Sequence, residues 1–121
     1  MNKVITPGNV SASLTEYWSP KVVGEVDDNY VKVAKLKGTF TWHTHEHEDE
    51  MFFVLKGQLK IEMKEQTMVL NAGDMYIVPK GVAHNPIAEQ ECEVLLFERK
   101  STAHTGEVKT SQTRSIEDQL G

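Results

Sequence analysis

The residues best suited to chemistry lie in one stretch, positions 38–57, with the sequence GTFTWHTHEHEDEMFFVLKG. His43 and His45 are two residues apart, so on a β-strand their side chains point to the same face. Their Cα atoms would then lie roughly 6.5–7 Å apart, a separation from which two imidazoles can bind one cation. This pair is therefore a candidate half of a metal site.

Glu50 opens the apolar run that follows, and the period of two places it on the same face as Phe52 and Val54. An ionised carboxylate in such an interior is costly, and a metal shared with histidines would offset that cost. We therefore predict that Glu50 is a third ligand. The helical zinc-protease motif does not apply, because Asp49 stands four residues after His45 and the flanking segments have β character.

A second stretch, positions 73–84, places a histidine directly after two turns. Gly73 and Pro79 mark the turns, and His84 stands just inside the next predicted strand. Alone, this is a strand between two turns. Beside the first stretch, it supplies a fourth ligand.

The remaining histidines have other predicted roles. His47 is two residues after His45 and would share its face on a strand, but it falls in a predicted loop. We therefore predict that His47 lies beside the ligands or at the surface. His104 lies in a polar tail and is predicted to be solvated, unless the tail folds over the barrel. The competing interpretation of positions 46–50 is a solvated acidic loop without a metal; the paired histidines and the inward Glu50 favour the metal.

The segments that must position these residues are short, rich in β-forming residues and separated by turn residues. The predicted strands are residues 21–26, 30–36, 39–45, 50–55, 59–63, 67–70, 75–78, 82–88 and 92–98. About nine short strands with little helix predict an all-β sandwich or barrel.

Two short helices are also predicted, one between a candidate cap at Ser13 and Pro20, the other at about residues 115–120. A chain of 121 residues fits one domain. Its predicted parts are an N-terminal arm at 1–20, a barrel at 21–99 with the two motif segments at 38–57 and 73–88, and a polar, partly ordered tail at 100–121.

The composition argues against several partners and places. The formal net charge is −5 and the 13 basic residues are scattered, whereas a nucleic-acid partner normally requires a basic patch. No apolar run approaches the roughly 20 residues of a membrane span, and the first residues lack the apolar centre of a secretory signal. The single cysteine, Cys92, lies in an apolar run and is predicted to be buried and inert. A cytoplasmic protein is expected.

Together, the two segments resemble the cupin superfamily, whose two motifs they match in order. The first motif is a glycine, a His-x-His pair, a glutamate and a further glycine, matched by Gly38, His43, His45, Glu50 and Gly57. The second is a glycine, Pro-x-Gly and a histidine, matched by Gly73, Pro79, Gly81 and His84. Gly38 stands one residue closer to the histidine pair than is usual, and Ala88 stands near a common asparagine; neither is a ligand position.

The resemblance, which is closest to small single-domain bacterial cupins, implies a jelly-roll β-barrel that is often a homodimer. It implies four metal ligands, His43, His45, Glu50 and His84, with one or two coordination positions open to water, dioxygen or substrate. Three imidazoles and one carboxylate suit iron, manganese, nickel or zinc.

The expected function is a metal-dependent oxygenase that acts on a small organic substrate. The alternatives are a Lewis-acid isomerase or lyase, and a non-catalytic barrel that binds a small molecule. Strand alternation predicts a largely apolar pocket with one hydroxyl, lined by Phe52, Val54, Tyr76 and Val78.

Overall fold

The computed structural model describes residues 3–121 of the protein. It contains seven β-strands and two short α-helices. In chain order they are α1 (Pro7–Ser13), β1 (Lys21–Val26), β2 (Asn29–Thr39), β3 (Glu50–Lys56), β4 (Gln58–Met63), β5 (Thr67–Asn71), β6 (Met75–Val78), β7 (His84–Arg99) and α2 (Ile116–Leu120). The predicted all-β class is confirmed, although about nine strands were expected.

The long strand β7 holds the sheet together, because it pairs with β2, β3 and β4. The strand order is β1-β2-β7-β3-β6, and β4 and β5 extend from the first half of β7. All of these pairings are antiparallel, and they give the predicted jelly-roll arrangement. The sheet does not close, since among the described strands β1, β5 and β6 each have one neighbour.

The strand β7 replaces two predicted strands, 82–88 and 92–98, so that prediction was wrong. The polar residues 89–91 between them were interpreted as a turn, but in the structure they form a bulge. Only Lys37 of β2 lies opposite these three residues. A bulge bends a strand without ending it, and this allows β7 to serve both halves of the fold.

The predicted strand at 39–45 was also wrong beyond its first residue. The strand β2 ends at Thr39, directly after Gly38, whose φ of 84° is readily accessible only to glycine. The chain then leaves the sheet and touches it again through an isolated bridge between His43 and His84.

The N-terminal helix lies earlier than predicted. The segment from Leu14 to Pro20 is not helical, and α1 instead begins at Pro7, whose fixed φ suits the first turn of a helix. Trp18 has a positive φ of 57°, and its indole nitrogen donates to the Lys37 carbonyl at 2.8 Å. Its ring thereby enters the core rather than extending a helix.

The tail, residues 100–121, packs back onto the barrel. Its helix α2 lies where predicted, and the Ser115 hydroxyl accepts a hydrogen bond from the backbone nitrogen of Asp118 as a cap. Thr102, Thr105 and Gln119 of the tail are buried. The polar composition of the tail thus does not keep all of its residues in solvent.

The core is formed by the inward faces of β2 to β7 together with Trp18. On β3, Phe52 and Val54 are buried on the same face as Glu50, as the alternation predicted. Cys92 is fully buried, and burial raises the pKa of its thiol to about 12, so it is protonated and inert at neutral pH. Among residues 3–121, no helix is long and apolar enough to cross a membrane.

Candidate metal centre

Four buried side chains meet at one end of the barrel, and they are the four predicted ligands. One nitrogen or oxygen atom from each of them lies within 4.8 Å of the others. The four residues are His43, His45, Glu50 and His84. Glu50 begins β3 and His84 begins β7, whereas the other two lie on the segment between β2 and β3.

Backbone hydrogen bonds fix this geometry. The amide nitrogens of His43 and His84 each donate to the other's carbonyl oxygen at 3.0 Å. The Gly81 amide donates to the His45 carbonyl at 2.8 Å, so the turn of the second motif holds the histidine of the first. The Asp49 carboxylate accepts from the Lys80 amide at 2.9 Å, just before Glu50 enters β3.

The hydrogen bonds of two histidines determine which ring nitrogen is available. Nδ1 of His43 lies 2.8 Å from the Thr41 carbonyl oxygen, and Nδ1 of His84 lies 3.0 Å from that of Val82. A carbonyl can only accept, so in each neutral ring Nδ1 carries the hydrogen. The lone pair is then on Nε2, which is the form in which imidazole binds a metal.

The atoms that converge on the centre repel one another without a cation. Nε2 of His45 and Nε2 of His84 each lie 3.3 Å from the same Glu50 oxygen. Nε2 of His45 is buried and has no hydrogen-bond partner among the described residues. A buried polar atom without a partner is uncommon and needs an explanation. A cation between these atoms would supply the missing partner, so the residues fit a metal.

The charge states agree with this. Burial, assisted by the neighbouring His84, lowers the pKa of His43 to about 4, so its ring is neutral at pH 7. Burial acts to raise the pKa of Glu50, but its contacts with the His45 and His84 rings outweigh burial and hold the pKa below its usual range. A neutral imidazole beside an ionised carboxylate is a suitable ligand set for a divalent transition metal.

One side of the cluster faces a cavity of about 30 Å³. Since a buried water needs about 10–15 Å³, this space holds only a few small groups. Its walls are mostly apolar, and the Trp18 and Phe40 rings stack there with centroids 4.7 Å apart. The polar lining residues are His43, Glu50, Glu98 and His104.

The four residues predicted to line the pocket lie in different places in the structure. Phe52 lines the cavity, but Val54 and Val78 are buried in the core. Tyr76 packs against the core, and its hydroxyl lies 3.8 Å from the Met63 sulfur. The inward-facing residues of β3 were predicted correctly, but the cavity lies towards β2 and β7 rather than towards β6.

The two other histidines are placed differently from each other. His47 is exposed and lies outside the cluster, in agreement with a surface role. His104 lines the cavity, with its ring centroid 5.0 Å from that of Phe40. The prediction that His104 is solvated was wrong, and the stated alternative, a tail folded over the barrel, describes the structure.

Two buried charged residues were missed, namely Glu98, which lines the cavity, and its neighbour Lys32. Lys32 and Glu98 are 2% and 4% exposed, and Lys32 Nζ lies 3.5 Å from a Glu98 oxygen. Glu98 follows Val94 and Leu96 at core parity, the same signal that identified Glu50. The alternation along β7 thus indicated an inward Glu98, but no adjacent pair of histidines marked it as part of a site.

With the geometry established, comparison with known proteins identifies the class. Residues 29–98 match the Cupin domain family, and because this match spans more than half of the chain, the protein belongs to that family. A cupin-2 domain containing protein from Shewanella frigidimarina is 39% identical, with a TM-score of 0.78 over 80% of this chain and 95% of that chain.

Two further proteins show how far the likeness extends. The uncharacterized protein YdbB of Bacillus subtilis (strain 168) is 43% identical over 63 residues, 51% of this chain and 56% of YdbB. The chain therefore spans little more than half the length of that curated relative. Hydroquinone 1,2-dioxygenase from Sphingomonas sp. TTNP3 has a TM-score of 0.70 over 91% of this chain and 82% of that chain. At 21% identity, this likeness shows the fold alone.

Proposed function

We propose that this cupin binds a divalent transition metal through His43, His45, Glu50 and His84 and oxygenates a small organic substrate in the adjoining cavity. One observation carries the metal site: a buried carboxylate and three imidazoles converge within 4.8 Å, and one buried nitrogen among them lacks a partner. The oxygenase reaction is the class we would test first, since the Sphingomonas dioxygenase shares this fold.

The metal and the chain would contribute different things. A bound iron, manganese, nickel or zinc ion would supply Lewis acidity, and a redox-active ion would add electron transfer to dioxygen. The protein positions the four ligands through backbone hydrogen bonds and excludes water with Trp18, Phe40 and Phe52. The small cavity favours a small, mostly apolar ligand.

The first experiment tests the site. Protein purified without added metal is analysed for its elemental content, together with the His43→Ala and His84→Ala variants. We expect close to one metal ion per chain in the wild type and a loss of most of it in both variants. The matched control is His47→Ala, which removes an exposed histidine and should leave the content unchanged. Equal metal content in all four proteins would refute the site.

The second experiment tests the reaction. Oxygen uptake by the Fe(II)-loaded protein is followed with catechols, thiols and β-diketones as candidate substrates. Uptake that depends on one class supports the oxygenase. Conversion of a substrate without oxygen uptake would favour the Lewis-acid isomerase or lyase. Binding without conversion would favour the non-catalytic module.

We also propose that the protein is a homodimer. The edge strands β5 and β6 expose apolar side chains, and Val69, Met75 and Ile77 are 50%, 58% and 48% exposed. Sheet packing between two copies would cover these residues. Light scattering should give twice the mass of the chain, and Ile77→Asp should shift it to the monomer. A wild-type monomer would contradict the proposal.

A further inference from the structure

His104 differs from the histidines of the metal cluster in the direction of its hydrogen bond. Its Nδ1 accepts from the backbone nitrogen of Arg114 at 2.8 Å. A backbone N–H can only donate, so Nδ1 must hold the lone pair, and the neutral ring carries its hydrogen on Nε2. In His43 and His84 the arrangement is reversed, because their Nδ1 atoms face carbonyl oxygens. At Nε2, His104 therefore presents an N–H donor, whereas His43 and His84 present a lone pair.

The ring of His104 is neutral under ordinary conditions. Burial, with the nearby Lys32 charge, lowers its pKa to about 4. Among the described residues, its Nε2–H has no hydrogen-bond acceptor. The ring lines the cavity beside the metal cluster, so a ligand bound there would lie next to this ring.

The tail segment 100–121 holds His104 in place. Thr105 is buried, and its hydroxyl lies 2.8 Å from that of Thr113. Gly106 has a φ of 60°, and a side chain there would collide with the carbonyl oxygen of Thr44, which lies between two metal-cluster histidines. The tail therefore packs directly on the segment that carries the cluster, and the position of His104 is fixed relative to it.

The other donors at the cavity are already used. The indole nitrogen of Trp18 donates to Lys37, and Nδ1 of His43 is hydrogen-bonded to Thr41. Carboxylates account for the other polar groups in the lining. Among the described lining residues, His104 thus offers a free neutral N–H, whereas the protonated Glu98 carboxyl lies against Lys32.

We infer that His104 donates its Nε2–H to a negatively charged oxygen of the ligand held at the metal, and that the ligand class is a small oxyanion such as a carboxylate, enolate or phenolate. This inference rests on the proposed metal site. A metal and a neutral donor on the same ligand would together favour an anionic oxygen over an uncharged one.

Nitrogen-15 NMR of the metal-free protein tests the donor directly. We expect His104 to show the pattern of the Nε2–H tautomer, whereas His43 and His84 show that of Nδ1–H. This measurement does not require a metal, so it tests the hydrogen-bond donor separately from the proposed metal site. An Nδ1–H tautomer at His104 would overturn the inference.

Formate binding to the Co(II)-loaded protein, followed by the visible absorption of Co(II), tests the ligand. Loss of a hydrogen bond to a charged group in His104→Leu should weaken formate binding by at least about tenfold. His104→Gln keeps an N–H near the same position and should stay within about threefold of the wild type. The control His47→Leu, which removes an exposed histidine, should leave binding unchanged.

The possible failures are separable. If Co(II) does not bind the wild type, the proposed metal site fails and the inference about its ligand fails with it, whereas the tautomer measurement still shows whether His104 is a donor. If Co(II) binds equally to all variants but His104→Leu does not weaken formate binding, the inference fails and the metal site stands. Circular dichroism confirms that each variant is folded, and His104→Gln preserves the test if His104→Leu is not.

Discussion

Glu50 and Glu98 lie opposite each other on β3 and β7, and both are buried at the same cavity, but their surroundings differ. Glu50 faces histidines, which hold its pKa below its usual range despite burial. Glu98 faces Lys32, and there burial and the negative charge of Glu50 raise its pKa to about 8. One carboxylate is kept ionised and the other is kept protonated at neutral pH.

The two carboxyl groups show two ways in which the fold offsets the cost of buried charge. On the Glu50 side, the compensating groups are the imidazoles of the proposed metal site. On the Glu98 side, the Lys32 contact of 3.5 Å is long, and Lys32 lies closer to the Gln119 side-chain oxygen of α2. The long contact and the raised pKa agree with each other, because a protonated Glu98 is not a full ion-pair partner. The surroundings of Glu50 are suited to a cation, whereas Lys32, beside Glu98, binds the tail through Gln119.

The largest difference should appear in metal affinity. Glu50→Gln removes a ligand and should weaken Zn(II) binding by at least about a hundredfold. Glu98→Gln is the matched control across the same strand pair and should remain within about threefold. Competition with a chelator measures both. Equal losses would show that the two carboxylates act as one site and would remove the contrast between them.

The second prediction concerns Lys32. Lys32→Met leaves the buried Glu98 carboxyl and the Gln119 side-chain oxygen without their donor, and it should lower the free energy of unfolding by about 2 kcal/mol. The double variant Lys32→Met/Glu98→Met replaces both groups by apolar ones and should recover most of this loss. Urea denaturation of the metal-free proteins gives the values. A double variant as unstable as the single one would contradict the interpretation.

A third prediction concerns pH. Because burial raises the pKa of Glu98 to about 8, the folded state binds a proton that the unfolded state releases near pH 4.3. The stabilisation is complete below that unfolded value and is lost as the pH rises through 8. His43 and His104, with pKa values lowered to about 4, act in the opposite direction, but only below about pH 6.5.

The window from pH 6.5 to 8 therefore isolates Glu98. The metal-free protein should lose up to about 2 kcal/mol across it, since one pKa unit corresponds to about 1.4 kcal/mol. Glu98→Gln should remove this slope. Urea denaturation at a series of pH values makes the comparison, and a slope that persists in Glu98→Gln would assign the effect to another group.

The two sides of the cavity also differed in how far the sequence could predict them. The ligand set was predictable because alternation along β3 gave the inward direction of Glu50 and the turn residues placed His84 at the start of a strand. The cavity walls were not, because they depend on the bulge in β7 and on its pairing with β2 and β3. Pairing between distant segments is not encoded in local periodicity.

The tail shows the same limit more clearly. Its helix was predictable from local signals, because Ser115 is a good cap. Its path was not, because it depends on contacts between distant residues, such as that of Gln119 with Lys32. Polar composition predicted solvent exposure, and the buried polar partners that reversed this result lie on β2.

The smallest expected effect comes from weakening α2, which should change the stability of the fold but not the metal affinity at Glu50. Ser115→Ala removes the cap of α2 and should lower the free energy of unfolding by about 1 kcal/mol. The exposed control Ser111→Ala should change it by less than about 0.5 kcal/mol. Zn(II) affinity should be unaffected by either change, because neither residue contacts the metal cluster.

Combining Ser115→Ala with Lys32→Met tests whether α2 is held to the barrel through the contact of Gln119 with Lys32. If α2 stabilises the fold through Gln119 and Lys32, both substitutions disrupt one contact and their joint cost should be smaller than the sum of the two. Additive costs would mean that α2 is held by other groups. A fall in Zn(II) affinity in Ser115→Ala would mean that the tail supports Glu50 as well as Glu98, because weakening the helix would then disturb both carboxylates.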